Sequence, residues 1–236
     1  MALKYPFYYH IIDNFLGIEQ AKKISKEFPD YDSDVWFCYN NPLENKKTCN
    51  NWYYFGPETY KTLLFLNSEE FIRQLQKITG IKKLYSDNGL HGAGLHIHER
   101  GGKLNVHLDY SIHPKLKLQR KLNLIIYLSE EWENEWGGSL ELWSHNKEKN
   151  KPDKKIVTID NVFNRAVLFD TTQNSWHGFP EPLSCPKGKY RKSLAVYYLT
   201  DPPKDADQRP RALYAPYKDQ EQNSQILSFI EERATL

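Results

Sequence analysis

His107, Asp109, His177 and Arg191 have the types and spacing for metal chemistry coupled to recognition of a carboxylate. In Leu104-Asn105-Val106-His107-Leu108-Asp109-Tyr110, apolar and polar residues alternate with period two. The segment therefore reads as a strand with His107 and Asp109 on one face, two donors for a single ion. His145 and His177 each follow an apolar strand-like run, and either would supply a third donor. Two imidazoles and one carboxylate on one face of an ion leave positions open for a substrate and for dioxygen, the arrangement used with non-haem Fe(II). The same donors would also suit zinc and an activated water. Arg191 opens the run Arg191-Lys192-Ser193-Leu194-Ala195-Val196-Tyr197-Tyr198-Leu199, and a guanidinium can grip a carboxylate through two parallel hydrogen bonds.

Strands must position these groups. The chain has 236 residues, room for one large domain or two small ones. Aromatic residues make up 14% and methionine occurs once, which suits a strand-rich domain. From Leu95 to Thr200 strands should dominate, with 146–154 a solvated hairpin tip. Ahead of them, Ile18, Ala21, Ile24 and Phe28 fall at helical spacing before Pro29, and a second helix is expected over Glu69–Thr79, capped by Asn67 and ended by Gly80. Residues 31–56, rich in aromatics and asparagine, read as an irregular, partly buried flap. After Asp201-Pro202-Pro203, a tail helix near 222–232 should bury Ile226, Leu227, Phe229 and Ile230. Many short strands flanked by helices suggest a double-sheet jelly roll.

Lysine and arginine exceed aspartate and glutamate by only two (32 against 30), so neither nucleic acid nor an anionic membrane is an expected partner. No apolar run approaches the ~20 residues of a membrane span, and the opening Met1-Ala2-Leu3-Lys4-Tyr5-Pro6 lacks a signal peptide's apolar core. A cytoplasmic location is the resulting expectation. Cys38, Cys49 and Cys185 are too few and too scattered for a disulfide framework or a paired-cysteine zinc site.

The ordered elements resemble the 2-oxoglutarate- and Fe(II)-dependent dioxygenases, within them the prolyl 4-hydroxylase-like branch. Pro6–Leu16 looks like that family's opening strand, Gly101-Gly102-Lys103-Leu104 like the glycine turn before the first ligand. Arg120–Leu128, Gly137–Leu142 and Arg165–Asp170 follow as successive core strands in the family's order. The resemblance spans roughly 5–200 and implies a mainly β chain with flanking helices, a double-stranded β-helix (jelly roll). It implies a single domain over 1–236, with a helical N-terminal part at about 1–90, the core at about 91–200 and a helical tail at about 201–236.

The resemblance also implies roles. His107, Asp109 and His177 become the iron ligands, His177 preferred over His145 because the basic residue and apolar strand follow it; His145 is then a surface histidine. Arg191, rather than Lys189 or Lys192, becomes the anchor for the distal carboxylate of 2-oxoglutarate, with Tyr127 beside it and Asn123 on the same face. His98 stands where many relatives carry a cavity tyrosine and would line the cosubstrate pocket, with His96 on its face. His113 is expected to be bland. Fe(II), 2-oxoglutarate and dioxygen are the implied cofactors, ascorbate an accessory reductant that the resemblance admits. The implied reaction is hydroxylation of a C–H bond with release of succinate and CO2, the substrate being a prolyl residue in a peptide or protein, or alternatively a free amino acid or other small molecule. The aromatic segment 36–55 and the basic run Lys115, Lys117, Arg120 and Lys121 would wall a peptide groove. A zinc hydrolase and a non-catalytic binding module are the rival readings; neither needs Arg191.

Overall fold

The computed structural model describes residues 4–172 and 174–235. In chain order these form β1 (Tyr9–Ile12), α1 (Ile18–Lys26), β2 (Phe37–Asn41), β3 (Glu44–Cys49), α2 (Pro57–Leu66) and α3 (Glu69–Thr79). Next come β4 (Tyr85–Ser86), β5 (Gly94–His98), β6 (Lys103–Leu108), β7 (Gln119–Tyr127), β8 (Leu140–Asn146) and β9 (Lys151–Ile159). The chain continues through β10 (Ala166–Asp170), β11 (His177–Phe179), β12 (Arg191–Thr200), β13 (Leu213–Tyr214) and α4 (Ser224–Thr235).

All strand pairings are antiparallel, in the order β1-β10-β7-β12-β5-β3-β6-β11-β8-β9, with β2 beside β3, β4 beside β12 and β13 beside β6. The sheet folds back on itself. Tyr127, Val167 and Phe169 of β7 and β10 pack against Leu140, Leu142 and Ile159 of β8 and β9. The result is the double-stranded β-helix with flanking helices that the sequence implies. Period-two alternation divides the larger wall. Leu122, Leu124 and Ile126 of β7 and Leu194, Val196 and Tyr198 of β12 point outward into a core shared with Ile24, Leu63, Leu66 and Phe71 of the helices. Each such buried side chain contributes on the order of 2 kcal/mol, which fixes the register, since a slip of one residue would turn the apolar row inward. The register leaves Asn123, Tyr127, Arg191 and His98 for the inner face.

Several expectations need correction. The 31–56 segment is not an irregular flap: β2 and β3 form a hairpin whose turn is fastened by Asn41 Oδ1, which accepts the N–H groups of Leu43 and Glu44. β3 then bridges β5 and β6, so the N-terminal part is not purely helical. The helix α2 was not anticipated. Because it ends at Leu66, Asn67 caps its C-terminus and Ser68 caps α3 instead, its hydroxyl accepting the Phe71 N–H. Gly80 ends α3 at φ 75°, as expected. In α4, Ile230 is buried whereas Leu227 is exposed. No helix among the described residues is long and apolar enough to cross a membrane.

Candidate metal centre and adjoining anion pocket

His107 and His177 lie directly opposite each other on β6 and β11. Asp109, one residue beyond the end of β6 and two beyond His107, keeps to the same face. The approach of the two strands requires Gly178, where a Cβ would lie 2.8 Å from the carbonyl oxygens of Leu104 and Asn105. His107 Nε2 is 3.6 Å from Asp109 Oδ1, His177 Nε2 is 3.8 Å from Asp109 Oδ2, and the three donor atoms fall within 4.8 Å of one another. Each imidazole has Nδ1 beside a backbone carbonyl, Asn105 O at 2.9 Å and Ser175 O at 2.8 Å. Donation there leaves each Nε2 lone pair free and aimed at the shared point. Burial, then the neighbouring His107, lowers His177 to about 4. Burial alone would raise the Asp109 carboxyl, but the Arg120 guanidinium and the two imidazoles hold it well below the usual carboxylate range. Two Nε2 lone pairs and an ionised carboxylate are what a divalent cation needs, and the buried Asp109 Oδ2 has no hydrogen-bond partner. The residues fit the ion. Among the described residues this is the one such cluster of three donors.

A second polar pocket adjoins it on the inner face. Arg191, almost wholly buried, pairs across the strands with His98. Its Nε donates to Gly138 O at 2.8 Å, and its guanidinium lies 4.4 Å from the Phe179 ring centroid and 5.1 Å from that of Tyr127. No acidic side chain among the described residues pairs with it. Around this cation, Tyr127 Oη, Asn123 Oδ1 and both ring nitrogens of His98 are buried without hydrogen-bond partners. Burial, then Arg191, pushes His98 well down, so its imidazole is neutral; burial likewise takes His96 to about 3. Lys192 points outward, donating to Ser25 O, and Lys189 pairs with Glu131 at the surface. Only Arg191 of the three enters the pocket. Gly138 makes room for it, since a Cβ there would lie 2.7 Å from Arg191 Cδ.

Other expected roles change. Arg120 and Lys121 leave the basic run: Arg120 is buried against Asp109, and Lys121 pairs with Asp170. His113 is buried, its Nδ1 accepting the N–H groups of Lys115 and Leu116 and thus shaping the 113–118 turn. His145 is half-buried and its Nδ1 accepts from Trp176 Nε1 at 3.0 Å, so it is a packing residue rather than a free surface group. The sequence reading missed the tail's contribution altogether. Tyr214 of β13 stacks on His107 with ring centroids 5.1 Å apart. Arg209 Nη1 donates to the backbone oxygens of Asp109 (2.6 Å) and Leu108 (3.3 Å). Two-residue strands and irregular segments carry no periodic signal by which to find them.

Comparison with known proteins fits this geometry. The family model described as the 2OG-Fe(II) oxygenase superfamily matches residues 93–203, which hold all seven residues of the two pockets. Over 106 residues the chain is 31% identical to prolyl 3-hydroxylase OGFOD1 of Xenopus laevis, covering 43% of this chain but only 20% of that protein's length. A Pseudomonas putida prolyl-4-hydroxylase shares the fold with a TM-score of 0.55 at 13% identity, over 82% of this chain and 92% of that one. So does a Trichoplax adhaerens prolyl hydroxylase, solved with a hypoxia inducible factor peptide fragment: TM-score 0.53, 17% identity, 81% and 83% coverage.

Proposed function

Because residues 93–203 match the model of the 2OG-Fe(II) oxygenase superfamily, we propose that this protein is an Fe(II)- and 2-oxoglutarate-dependent dioxygenase that hydroxylates a prolyl residue in a peptide or protein. The observation that carries the reading is the juxtaposition of the three-donor cluster with a buried, acid-free guanidinium surrounded by partnerless polar atoms. A zinc hydrolase has no use for the second pocket.

His107, Asp109 and His177 would hold the iron, which when bound supplies dioxygen activation coupled to decarboxylation of 2-oxoglutarate to succinate and CO2. Arg191 would grip the distal carboxylate of 2-oxoglutarate, restoring the charge partner that the fold withholds. Tyr127 Oη would donate to the same carboxylate. His98, neutral and edge-on to Phe179 with ring centroids 4.9 Å apart, offers a hydrogen bond without adding charge. Phe169, its ring centroid 4.7 Å from that of His177, and Phe179 beside His98 give the site an apolar lining. A prolyl substrate is supported by the likeness to the Xenopus relative and by the exposed aromatics Phe37 and Tyr54 near the N-terminal hairpin.

The test incubates the protein with Fe(II), 2-oxoglutarate, ascorbate and a broad library of proline-containing peptides. Succinate should form in step with a mass gain of one oxygen on proline, and Asp109→Ala should abolish both. Turnover stimulated only by free amino acids or other metabolites would replace the peptide substrate with a small molecule. No 2-oxoglutarate turnover under any condition would sink the enzyme reading.

A further inference from the structure

Arg120 is the best-held charged side chain of the cavity. Its guanidinium lies between two rings, 3.6 Å from the Tyr110 centroid and 3.3 Å from that of Tyr197. Nη2 donates to His91 O at 3.1 Å, and Nη1 is 3.0 Å from Asp109 Oδ1. At 2% exposure such a cation is costly to bury unless it is paired. The pairing is with one carboxylate oxygen only: Oδ2 remains buried and partnerless, 3.8 Å from His177 Nε2.

That asymmetry has a chemical meaning. A carboxylate can bind a metal through one oxygen or through both. Two imidazoles and a one-oxygen carboxylate leave three positions of an octahedral ion open, enough for a chelating cosubstrate and for dioxygen. A two-oxygen carboxylate would leave only two and close the last of them. We infer that Arg120 is a positioning residue that occupies Asp109 Oδ1, confines the carboxylate to binding metal through Oδ2 alone and so keeps one coordination position open. The inference rests on the metal-site reading above. Tyr110 and Tyr197 hold the guanidinium in place by stacking, and the backbone oxygen of His91 fixes its rotation.

Mn(II) serves as the probe, because the relaxation that it induces in solvent water counts the positions open to exchangeable water, without any turnover. With the wild-type protein, Mn(II) should bind and enhance water relaxation; His107→Ala should abolish this. In Arg120→Met, or Arg120→Gln should the apolar change fail to fold, Mn(II) should still bind, while the enhancement per bound ion falls by roughly a third as one of three open positions is lost. Arg120→Lys, which keeps a donor and a charge, should recover it. Unchanged enhancement per bound ion in the neutral variants would overturn the role of Arg120 with the metal site intact. Mn(II) binding indifferent to His107→Ala would instead overturn the site itself.

Discussion

Arg191 is a buried cation with no acidic neighbour among the described residues, its Nε donating to the Gly138 carbonyl. Arg191→Met should cost ~2–4 kcal/mol of 2-oxoglutarate binding, tens- to several-hundredfold in affinity, by removing a charge-assisted bidentate contact. Metal binding should survive, and calorimetric titration with each ligand separates the two. Gly138→Ala should act in the same direction, since its new Cβ would meet Arg191 Cδ at 2.7 Å and its φ is +80°. An unaltered 2-oxoglutarate affinity in both variants would place the anchor elsewhere. The buried imidazoles set a pH dependence. Unfolded histidine titrates near 6.5, whereas burial lowers His177 to about 4 and His96 to about 3. Over that interval the unfolded chain binds more protons, so stability must rise with pH. The urea midpoint of metal-free protein should therefore fall as pH drops from about 6.5 towards 4, and a flat midpoint would contradict the burial of neutral imidazoles. Period-two alternation made legible which side chains share a face, His107 with Asp109, Tyr127 with Asn123, Arg191 but not Lys192, while their roles followed from the family resemblance. Arg120 was not legible, since a guanidinium after a lysine-rich turn looks like solvated charge until a carboxylate and two rings from distant strands enclose it.

At the scale of elements, the tail and the hairpin act as braces. Arg209 ties the end of β6 through two backbone oxygens and is itself gripped by Asp207. Arg209→Ala should let the Asp109 backbone drift and weaken Mn(II) binding by roughly ten- to a hundredfold, as loss of other outer-shell supports does. Far-ultraviolet circular dichroism should stay unchanged; undiminished Mn(II) affinity would reduce Arg209 to a surface clasp. The hairpin braces from the other side. Buried Glu44 of β3 meets Lys46 and Arg233 of α4, linking it to the ring of Tyr214 that lies on His107. The long strands and α3 announced themselves through periodicity and Gly80, although the cap lies at Ser68 and not at Asn67. β2 and β3 did not, because Asn40, Asn41, Asn45, Lys46 and Lys47 have poor strand propensity and pair only because β5 and β6 offer open edges. α2 hid for a different reason: Leu63, Leu64, Phe65 and Leu66 run consecutively, and the helix exposes Leu64 and Phe65 while burying the other two.

At the scale of the whole molecule, the described residues leave six partnerless polar atoms inside the folded sheet, on His98, Asp109, Asn123, Tyr127 and Arg120. Ligands that satisfy them should stabilise the fold. Mn(II) and 2-oxoglutarate together, each at ~100 times its dissociation constant, should add about 2.7 kcal/mol per independent ligand. That is a rise in Tm of several degrees for a chain of this size. Arg191→Met should lose the 2-oxoglutarate part and His107→Ala both parts; equal shifts in all three proteins would mean binding elsewhere.

The cross-strand pairing of His107 with His177 has a kinetic side. It joins residues seventy positions apart, and closing a loop of that length costs about 4 kcal/mol beyond a constant. The backbone ladder meets that cost, not the ion. A chain still folding therefore offers an ion only the local pair His107 and Asp109, and the three-donor set is complete once β6 and β11 have paired. Selection of the ion then falls late and to supply: divalent affinities for nitrogen and oxygen donors place copper and zinc above ferrous iron. Protein prepared without added iron should carry whichever of these its medium provides, and refolding should proceed at the same rate with or without ferrous salt.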